Sequence, residues 1–198
     1  HMAATDSYRL AEKTLGSNKQ DVQLLIPASA MQDLLRVLGD GDEEIKITHD
    51  EQQVLFTVGD VELVTRLVDG KYPDYQKLIP EKFETSATLK RADLVNVTKV
   101  SSLFARESAG SVTIELDEAS KKLSIRSVAS QLGENTATAD ANITGTGSIT
   151  LNSRYLLDAL SVFSSDEISF GFNGKLEPTL LSDPKNKDYK HIIMPLKS

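Results

Sequence analysis

Ile26-Pro27-Ala28-Ser29-Ala30-Met31-Gln32-Asp33-Leu34-Leu35-Arg36-Val37-Leu38 decides the fold, because its spacing returns twice further along the chain. Pro27 and the apolar residues Met31, Leu34, Leu35 and Leu38 on one face predict an amphipathic helix, entered from a short apolar strand over Gln23 to Ile26. With Ile26, Leu89 and Leu151 set in register, the separations are 63 and 62 residues. Five residues on stand Met31, Leu94 and Leu156; eight on, Leu34, Val97 and Ala159; eleven on, Val37, Val100 and Val162. A strand pair follows each helix: Ile45-x-Ile47 with Val54-x-Phe56, Val112-x-Ile114 with Leu123-x-Ile125, and Ile168-x-Phe170 with a weaker sequel. Helix and strands that recur together at one period predict stacked copies of a single βαβββ unit.

Working outward, Gly39-Asp40-Gly41-Asp42 reads as the stop of the first helix, and Glu44 to Thr48, Gln53 to Val58 and Glu62 to Val68 read as strands. Ser7 to Leu15 alternates loosely and ends at Gly16-Ser17-Asn18, which reads as the last strand of a preceding repeat with nothing before it to pair with. The chain therefore holds three repeats and the final strand of a fourth. The fold class is α+β, with helices on one face of antiparallel sheets. Between the first and second repeats lies Asp69-Gly70-Lys71-Tyr72-Pro73-Asp74-Tyr75-Gln76-Lys77-Leu78-Ile79-Pro80. Its prolines exclude a helix interior and a central strand, so Tyr72, Tyr75, Leu78 and Ile79 sit on an extended connector. Two readings stay open: a linker packed on its flanking domains, or a surface that docks something.

Composition bounds the function. The 198 residues carry a net charge of −7, which excludes a generic nucleic-acid coat. The segments Ala28–Leu38, Lys90–Glu107 and Ser153–Ser164 sum to +2, leaving −9 on the remainder. Ten residues past the register point, opposite the core, stand Arg36, Lys99 and Ser161. A solvated amphipathic face and a face turned to nucleic acid both fit that pattern. The absence of cysteine excludes disulfides and thiolate chemistry. No apolar run approaches the ~18 residues of a membrane span and no signal-peptide pattern appears, so a cytosolic protein is expected. His1-Met2 reads as a cloning remnant. His49 and His191 have no neighbouring nucleophile, and no phosphate-cradling glycine loop or metal-ligand cluster stands out. Asp40-Gly41-Asp42-Glu43-Glu44 lacks the spacing of a calcium loop. No catalysis and no cofactor are expected.

Four segments carry a family resemblance: Ala4-Thr5-Asp6-Ser7-Tyr8-Arg9-Leu10-Ala11, Val68-Asp69-Gly70-Lys71-Tyr72-Pro73-Asp74-Tyr75, Asn152 to Leu160, and His191-Ile192-Ile193-Met194-Pro195. Together they resemble the bacterial sliding clamp, the beta subunit of DNA polymerase III. The resemblance implies a chain of three domains, each of two βαβββ halves, with two chains closing head to tail into a homodimeric ring around duplex DNA. Helices would line the hole of this DNA-clamp fold, and Arg36, Lys99 and Arg106 would face DNA. Replicative DNA polymerase, clamp loader and other proteins with a clamp-binding motif would be the partners, with no membrane involved. Against that template the chain covers the second half of the middle domain (1–77), a linker (78–84) and the last domain (85–198). A structural or adaptor protein of the same repeat, binding partners without encircling DNA, is the alternative.

Carried over position by position, the family's pocket for Gln-Leu-x-Leu-Phe type peptides would be Thr5, Ser7, Tyr8, Arg9, Leu10, Pro73, Lys77, Leu78, Asn152, Tyr155, Leu176, Ile192 and Met194. Asn152 also fits a helix N-cap stapled by Leu151 and Leu156. Ser7-Tyr8 departs from a more usual small residue followed by His, and Lys77 replaces a common Arg, losing the planar fork. Leu103 and Phe104, bulky groups at a helix end, would meet the partner chain in the ring. Without its twin, the first half would leave Met31, Leu34, Leu35 and Leu38 short of partners and the strand Ser7 to Leu15 with an open edge, both favouring association of two copies.

Overall fold

The computed structural model describes residues 1–16, 22–39, 44–130 and 133–197. Asp40 to Glu43, which carry the expected helix stop and most of the acidic loop, lie outside the described residues, as do Ser17 and Asn18. Strands β1 (Met2–Thr5) and β2 (Arg9–Lys13) come first. Helix α1 (Ala28–Leu38) and strands β3 (Ile45–His49), β4 (Gln53–Val58) and β5 (Val61–Arg66) follow. After a 3-10 turn at Tyr75–Leu78 come β6 (Thr85–Lys90), α2 (Arg91–Phe104), β7 (Ser111–Asp117), β8 (Lys122–Ala129), β9 (Gly133–Asp140) and β10 (Asn142–Thr144). The chain ends with β11 (Gly147–Asn152), α3 (Ser153–Val162), β12 (Glu167–Phe172), β13 (Thr179–Ser182) and β14 (Tyr189–Ile193). Contacts divide these into two compact units, residues 17–74 and residues 1–16 with 75–198.

The larger unit is built from two copies of the repeat that exchange their first strands. β6 leaves its own half to pair with β12, and β11 pairs with β7, giving sheets ordered β1-β2-β14-β13-β12-β6-β10 and β11-β7-β8-β9. Alternation along each strand turns one set of side chains inward. Val112, Ile114, Leu116, Leu123 and Ile125 meet Ile149, Leu151, Ile168, Phe170 and Phe172 in one core with Leu94 of α2 and Leu156 and Leu160 of α3. The repeat's positions five and eight residues past the register point are buried in both helices of this unit. The position eleven residues on is not: Val100 and Val162 are exposed, because by the third turn the face has rotated off the sheet. Helix α3 begins where Asn152 Oδ1 accepts the N–H groups of Arg154 and Tyr155 at 2.9 and 3.4 Å, with the expected staple residues Leu151 and Leu156 fully buried.

The expectation that nothing precedes Ser7 to Leu15 to pair with it is corrected. β1 pairs with β2 from Met2↔Lys13 to Thr5↔Leu10, and β14 covers the other edge from Ile193↔Arg9 to Tyr189↔Lys13. The cause is a tight reversal. Asp6 Oδ1 accepts the N–H of Tyr8 and of Arg9 at 3.1 Å each, Thr5 Oγ1 donates to the Arg9 carbonyl at 2.8 Å, and Ser7 takes φ 74°. Pairing of β2 with β14 is also why residues 1–16 group with the later unit, whose contacts begin at Tyr75 where sequence reasoning set a boundary at 77.

The smaller unit packs α1 on the sheet β3-β4-β5. Leu34, Val54, Phe56 and Val58 form its core, with Leu24, Ile26, Met31, Val37 and Leu38 packed around them. Leu35 does not join that face and stands exposed. Gln23 to Ile26, expected as a strand, forms none: the Leu25 carbonyl accepts the Val68 N–H at 2.8 Å, and no strand lies on the other edge among the described residues.

Because Leu156 is fully buried between both sheets of the larger unit, Leu156→Ala should lower that unit's stability by about 2–5 kcal/mol. Urea unfolding followed by amide exchange of β7, β8 and β12 measures it; a loss under ~1 kcal/mol would contradict the shared core.

Candidate functional site

Strand alternation also produces an outward row. Thr5, Leu10, Ile192, Leu180, Gly171, Ser86 and Thr144 are successive cross-strand neighbours through the whole seven-stranded sheet, so their side chains share one face. The opposite face carries Leu181, Ile193 and Phe170, which belong to the core beneath the helices. Leu180-Leu181 and Ile192-Ile193 are thus doublets with one member on each face. Leu10, Leu180 and Ile192 are buried in a second apolar cluster, because Tyr75 and Ile79 of the connector, Phe83 and Met194 pack over them. Gly171 gives Phe83 its seat, since a Cβ there would stand 2.6 Å from the aromatic ring. The N–H of Met194 donates to the Tyr8 carbonyl at 2.8 Å, tying the end of β14 to the hairpin.

Beside the hairpin is a polar and aromatic rim. The Arg9 guanidinium donates to Asp158 Oδ2 at 2.7 Å and to Asp6 Oδ2 at 2.9 Å, and its Cζ stands 4.4 Å from the centroid of the Tyr155 ring. Tyr8 and Tyr155 have centroids 6.4 Å apart with planes tilted by 31°. Partial burial raises the Asp6 pKa, but the Arg9 side chain and the N–H groups of Tyr8 and Arg9 outweigh it and hold the carboxyl below its ordinary range. On the inward face His191 is buried, its Nδ1 2.9 Å from the Tyr189 hydroxyl. Desolvation, aided by the Arg9 charge, pushes its pKa down to about 4, so it is neutral at physiological pH.

The structure brings Tyr8, Arg9 and Tyr155 together, and Leu10, Ile192 and Met194 together. Asn152 caps α3, and its Nδ2 donates to the Ala109 carbonyl at 3.1 Å. Ser7 lies at the hairpin turn and its N–H donates to Thr5 Oγ1 at 3.2 Å. Lys77 and Leu78 are exposed on the 3-10 turn, and Leu176 is exposed in the loop between β12 and β13. Pro73 is an exposed residue of the smaller unit, and its placement is described with that unit alone. Arg36 is exposed on α1 and pairs with Asp33. Lys99 is exposed on α2, Arg106 is exposed at the start of the 3-10 turn two residues past that helix, Leu103 is exposed and Phe104 half-buried. Sequence reasoning missed Leu180, Phe83 and Asp158, and named Ile79 only as part of the connector. The Leu180-Leu181 doublet was the available signal, since a strand apolar at consecutive positions buries both faces. Among the described residues no group of His, Asp and Glu is arranged to hold a metal, and no helix is long and apolar enough to cross a membrane.

Repeated βαβββ halves with a buried apolar cluster on the outer sheet face define a clamp-type protein. Residues 1–74 match the central domain, and residues 76–197 the C-terminal domain, of the DNA polymerase III beta subunit. The chain belongs to that family. It is 31% identical over 199 residues to the beta sliding clamp of Staphylococcus epidermidis and 32% identical to that of Staphylococcus aureus, in each case over 98% of this chain and 52% of the relative. The chain thus spans about half the length of the relatives it matches. Its fold superposes with a TM-score of 0.91 on the crystal structure of the Bacillus subtilis sliding clamp, at 30% identity, covering 99% of this chain and 53% of that one. The Bartonella birtlesii clamp, solved bound to griselimycin, matches with a TM-score of 0.91 at 27% identity over 99% of this chain and 54% of that one. The expected α+β clamp fold and the family resemblance are borne out.

Folding with a His191 pKa near 4, below the ordinary 6.5, means the unfolded chain binds that proton first as pH falls. The neutral imidazole's contribution to stability is present above about pH 6.5 and is lost as pH drops through the window down to about 4. An NMR titration should find the His191 ring midpoint near 4, with stability falling in that window; a midpoint at or above 6.5 contradicts the buried, neutral placement.

Proposed function

We propose that the protein acts as a non-catalytic sliding clamp of DNA replication, and that the outward apolar cleft is where it holds its partners. The observation that carries this reading is the cluster of Leu10, Leu180 and Ile192 under Met194, bordered by the Tyr8, Arg9 and Tyr155 rim. An apolar anchor site with a few fixed polar groups suits an extended peptide with bulky side chains and a polar lead residue. Thr5, Ser7, Lys77, Leu78, Asn152 and Leu176 extend the same docking surface in this reading. That a relative has been solved bound to griselimycin supports a ligand site on this fold. The partners are the replicative polymerase, the clamp loader and other proteins with a clamp-binding motif, in the cytoplasm.

Peptides of the Gln-Leu-x-Leu-Phe type should bind with a dissociation constant on the order of micromolar, about 8 kcal/mol net. Met194→Glu places a charge in the cleft and should weaken binding at least ~100-fold in calorimetry. Unchanged affinity would put the site elsewhere.

In the same reading two chains close around duplex DNA, with Leu103 and Phe104 at the junction of the closed ring and Arg36, Lys99 and Arg106 toward the phosphates. Such contacts are weak, independent of sequence and diminished by salt, which suffices when the link to DNA is topological. Replacing the three by Gln in the ring-forming protein should reduce clamp loading and processivity; full activity of the triple variant would remove these residues from the DNA face.

A further inference from the structure

Side chains alternate along β6, with Thr85, Ala87 and Leu89 turned into the core and Ser86 and Thr88 outward. Carried two residues back from Thr85, the same alternation would send Phe83 inward. Phe83 instead lies on the opposite face, its ring over Gly171 and packed against the cluster of Leu10, Leu180 and Ile192. The chain changes faces at Glu84, which stands at a bend immediately before the strand. Lys82 and Glu84 are themselves exposed, so burial of their side chains does not hold the segment in place.

A side chain from the neighbouring strand does so. β12 pairs with β6 from Glu167↔Lys90 to Phe172↔Thr85, so the next rung of the ladder would join Asn173 to Glu84. β12 ends at Phe172, and the Asn173 side chain takes over where the backbone turns away. Its Oδ1 accepts the Glu84 N–H at 2.7 Å, and its Nδ2 donates to the Lys82 carbonyl at 2.8 Å. One partner is a backbone donor and the other a backbone acceptor, which fixes the orientation of the amide. The two bonded groups lie immediately before and after Phe83, so one amide restrains the backbone on both sides of that ring. The loop between β10 and β11 closes on the same place, since a Cβ at Gly145 would stand 2.1 Å from the Glu84 carbonyl oxygen.

Taking the outward cluster as the peptide site, the reading on which this step rests, we propose that Asn173 is a positioning residue for partner binding that acts through Phe83. By holding residues 82 and 84 it keeps the Phe83 ring over Gly171 and against Leu10, Leu180 and Ile192. Loss of the amide frees Phe83 and the segment leading back to Ile79, and a peptide must then order both as it docks. The chemistry restricts the residue. An amide offers one acceptor and one donor on separate atoms. Asp retains the acceptor but sets a carboxylate oxygen against the Lys82 carbonyl, and Ser presents a single polar atom in place of two.

Calorimetry on the 198-residue chain with a Gln-Leu-x-Leu-Phe type peptide tests this. Asn173→Ser and Phe83→Ala should each weaken binding ~10-fold, the cost of ordering a side chain and its segment. Because Asn173 acts through Phe83, the double variant should bind no more weakly than Phe83→Ala alone. Asn173→Asp should behave as Asn173→Ser does, and Gly171→Ala, which takes the seat of Phe83 with the amide intact, should weaken binding likewise. In amide exchange the Glu84 N–H should lose protection in Asn173→Ser while β7 and β8 keep theirs. Loss of protection that spreads to β7 and β8 would give Asn173 a general structural role and overturn the proposal. Unchanged affinity in Asn173→Ser, or losses that multiply in the double variant, overturns it as well, and a Met194→Glu chain that is still impaired then leaves the docking reading standing. A wild type that binds no peptide, or a Met194→Glu chain that binds as the wild type does, overturns the docking reading and the role of Asn173 with it.

Discussion

The constraint on which the molecule depends is that a βαβββ half cannot bury its own first strand and helix. In the larger unit the solution is reciprocal, with β6 completing the sheet of β12 to β14 and β11 completing that of β7 to β9. The exchange carries Leu89 and Leu151 across the interface between halves, and both are buried as a result. Neither half could keep Ile114, Phe170 or Leu160 dry alone. Hydrophobic burial therefore acts between repeats more than within them, as expected for quasi-repeated architectures. The smaller unit shows the converse. Its core of Leu34, Val54, Phe56 and Val58 forms from one half, while Leu35 and Ile47 stay in water.

The outward apolar cluster is a second consequence of the same sheet. Strand exchange produces a broad sheet whose inner face is consumed by α2 and α3, leaving an outer face that solvent would ordinarily reach. That face is apolar at Leu10, Leu180 and Ile192, where Tyr75, Ile79 and Phe83 pack over it, and polar two residues along each strand at Glu12, Ser182 and Lys190. Proline at 73 and 80 keeps the segment from joining the sheet or continuing as a helix. Packing on the larger unit thus explains Tyr75 and Ile79, while Leu78 stays exposed.

Much of this was legible from spacing alone. The period of 63 and 62 residues located all three helices, and positions five and eight past the register point gave core residues in each. The position eleven residues on failed in α2 and α3 because a helix rotates its face gradually and the sheet spans only about two turns. The β1–β2 hairpin was not legible, since Met2-Ala3-Ala4-Thr5 has no alternation and takes its strand form from its neighbour. The site was partly legible. Tyr8, Arg9, Leu10, Tyr155, Ile192 and Met194 were named from family resemblance, and the structure groups them. Leu180 and Phe83 depend on cross-strand register, which a single sequence does not specify.

The rim shows how rigidity is obtained beside an apolar cleft. Arg9 has a carboxylate on each side, Asp6 within its own hairpin and Asp158 one turn from the end of α3, and it lies over Tyr155. Asp6 is itself fixed by two backbone N–H groups, so the guanidinium is oriented by the hairpin and by the helix together. A neutral His191 beneath it adds no competing positive charge, and Met194 is held to the Tyr8 carbonyl. The hairpin, α3 and β14 are therefore clamped to one another before any ligand arrives. Preorganisation of this kind lowers the ordering cost of any contact made at this rim. Lys77 is exposed on the 3-10 turn where the resemblance expects an Arg, and its ammonium lacks that residue's planar fork. Of the side chains grouped at this rim, Arg9, Tyr8 and Tyr155 are the planar, directional ones.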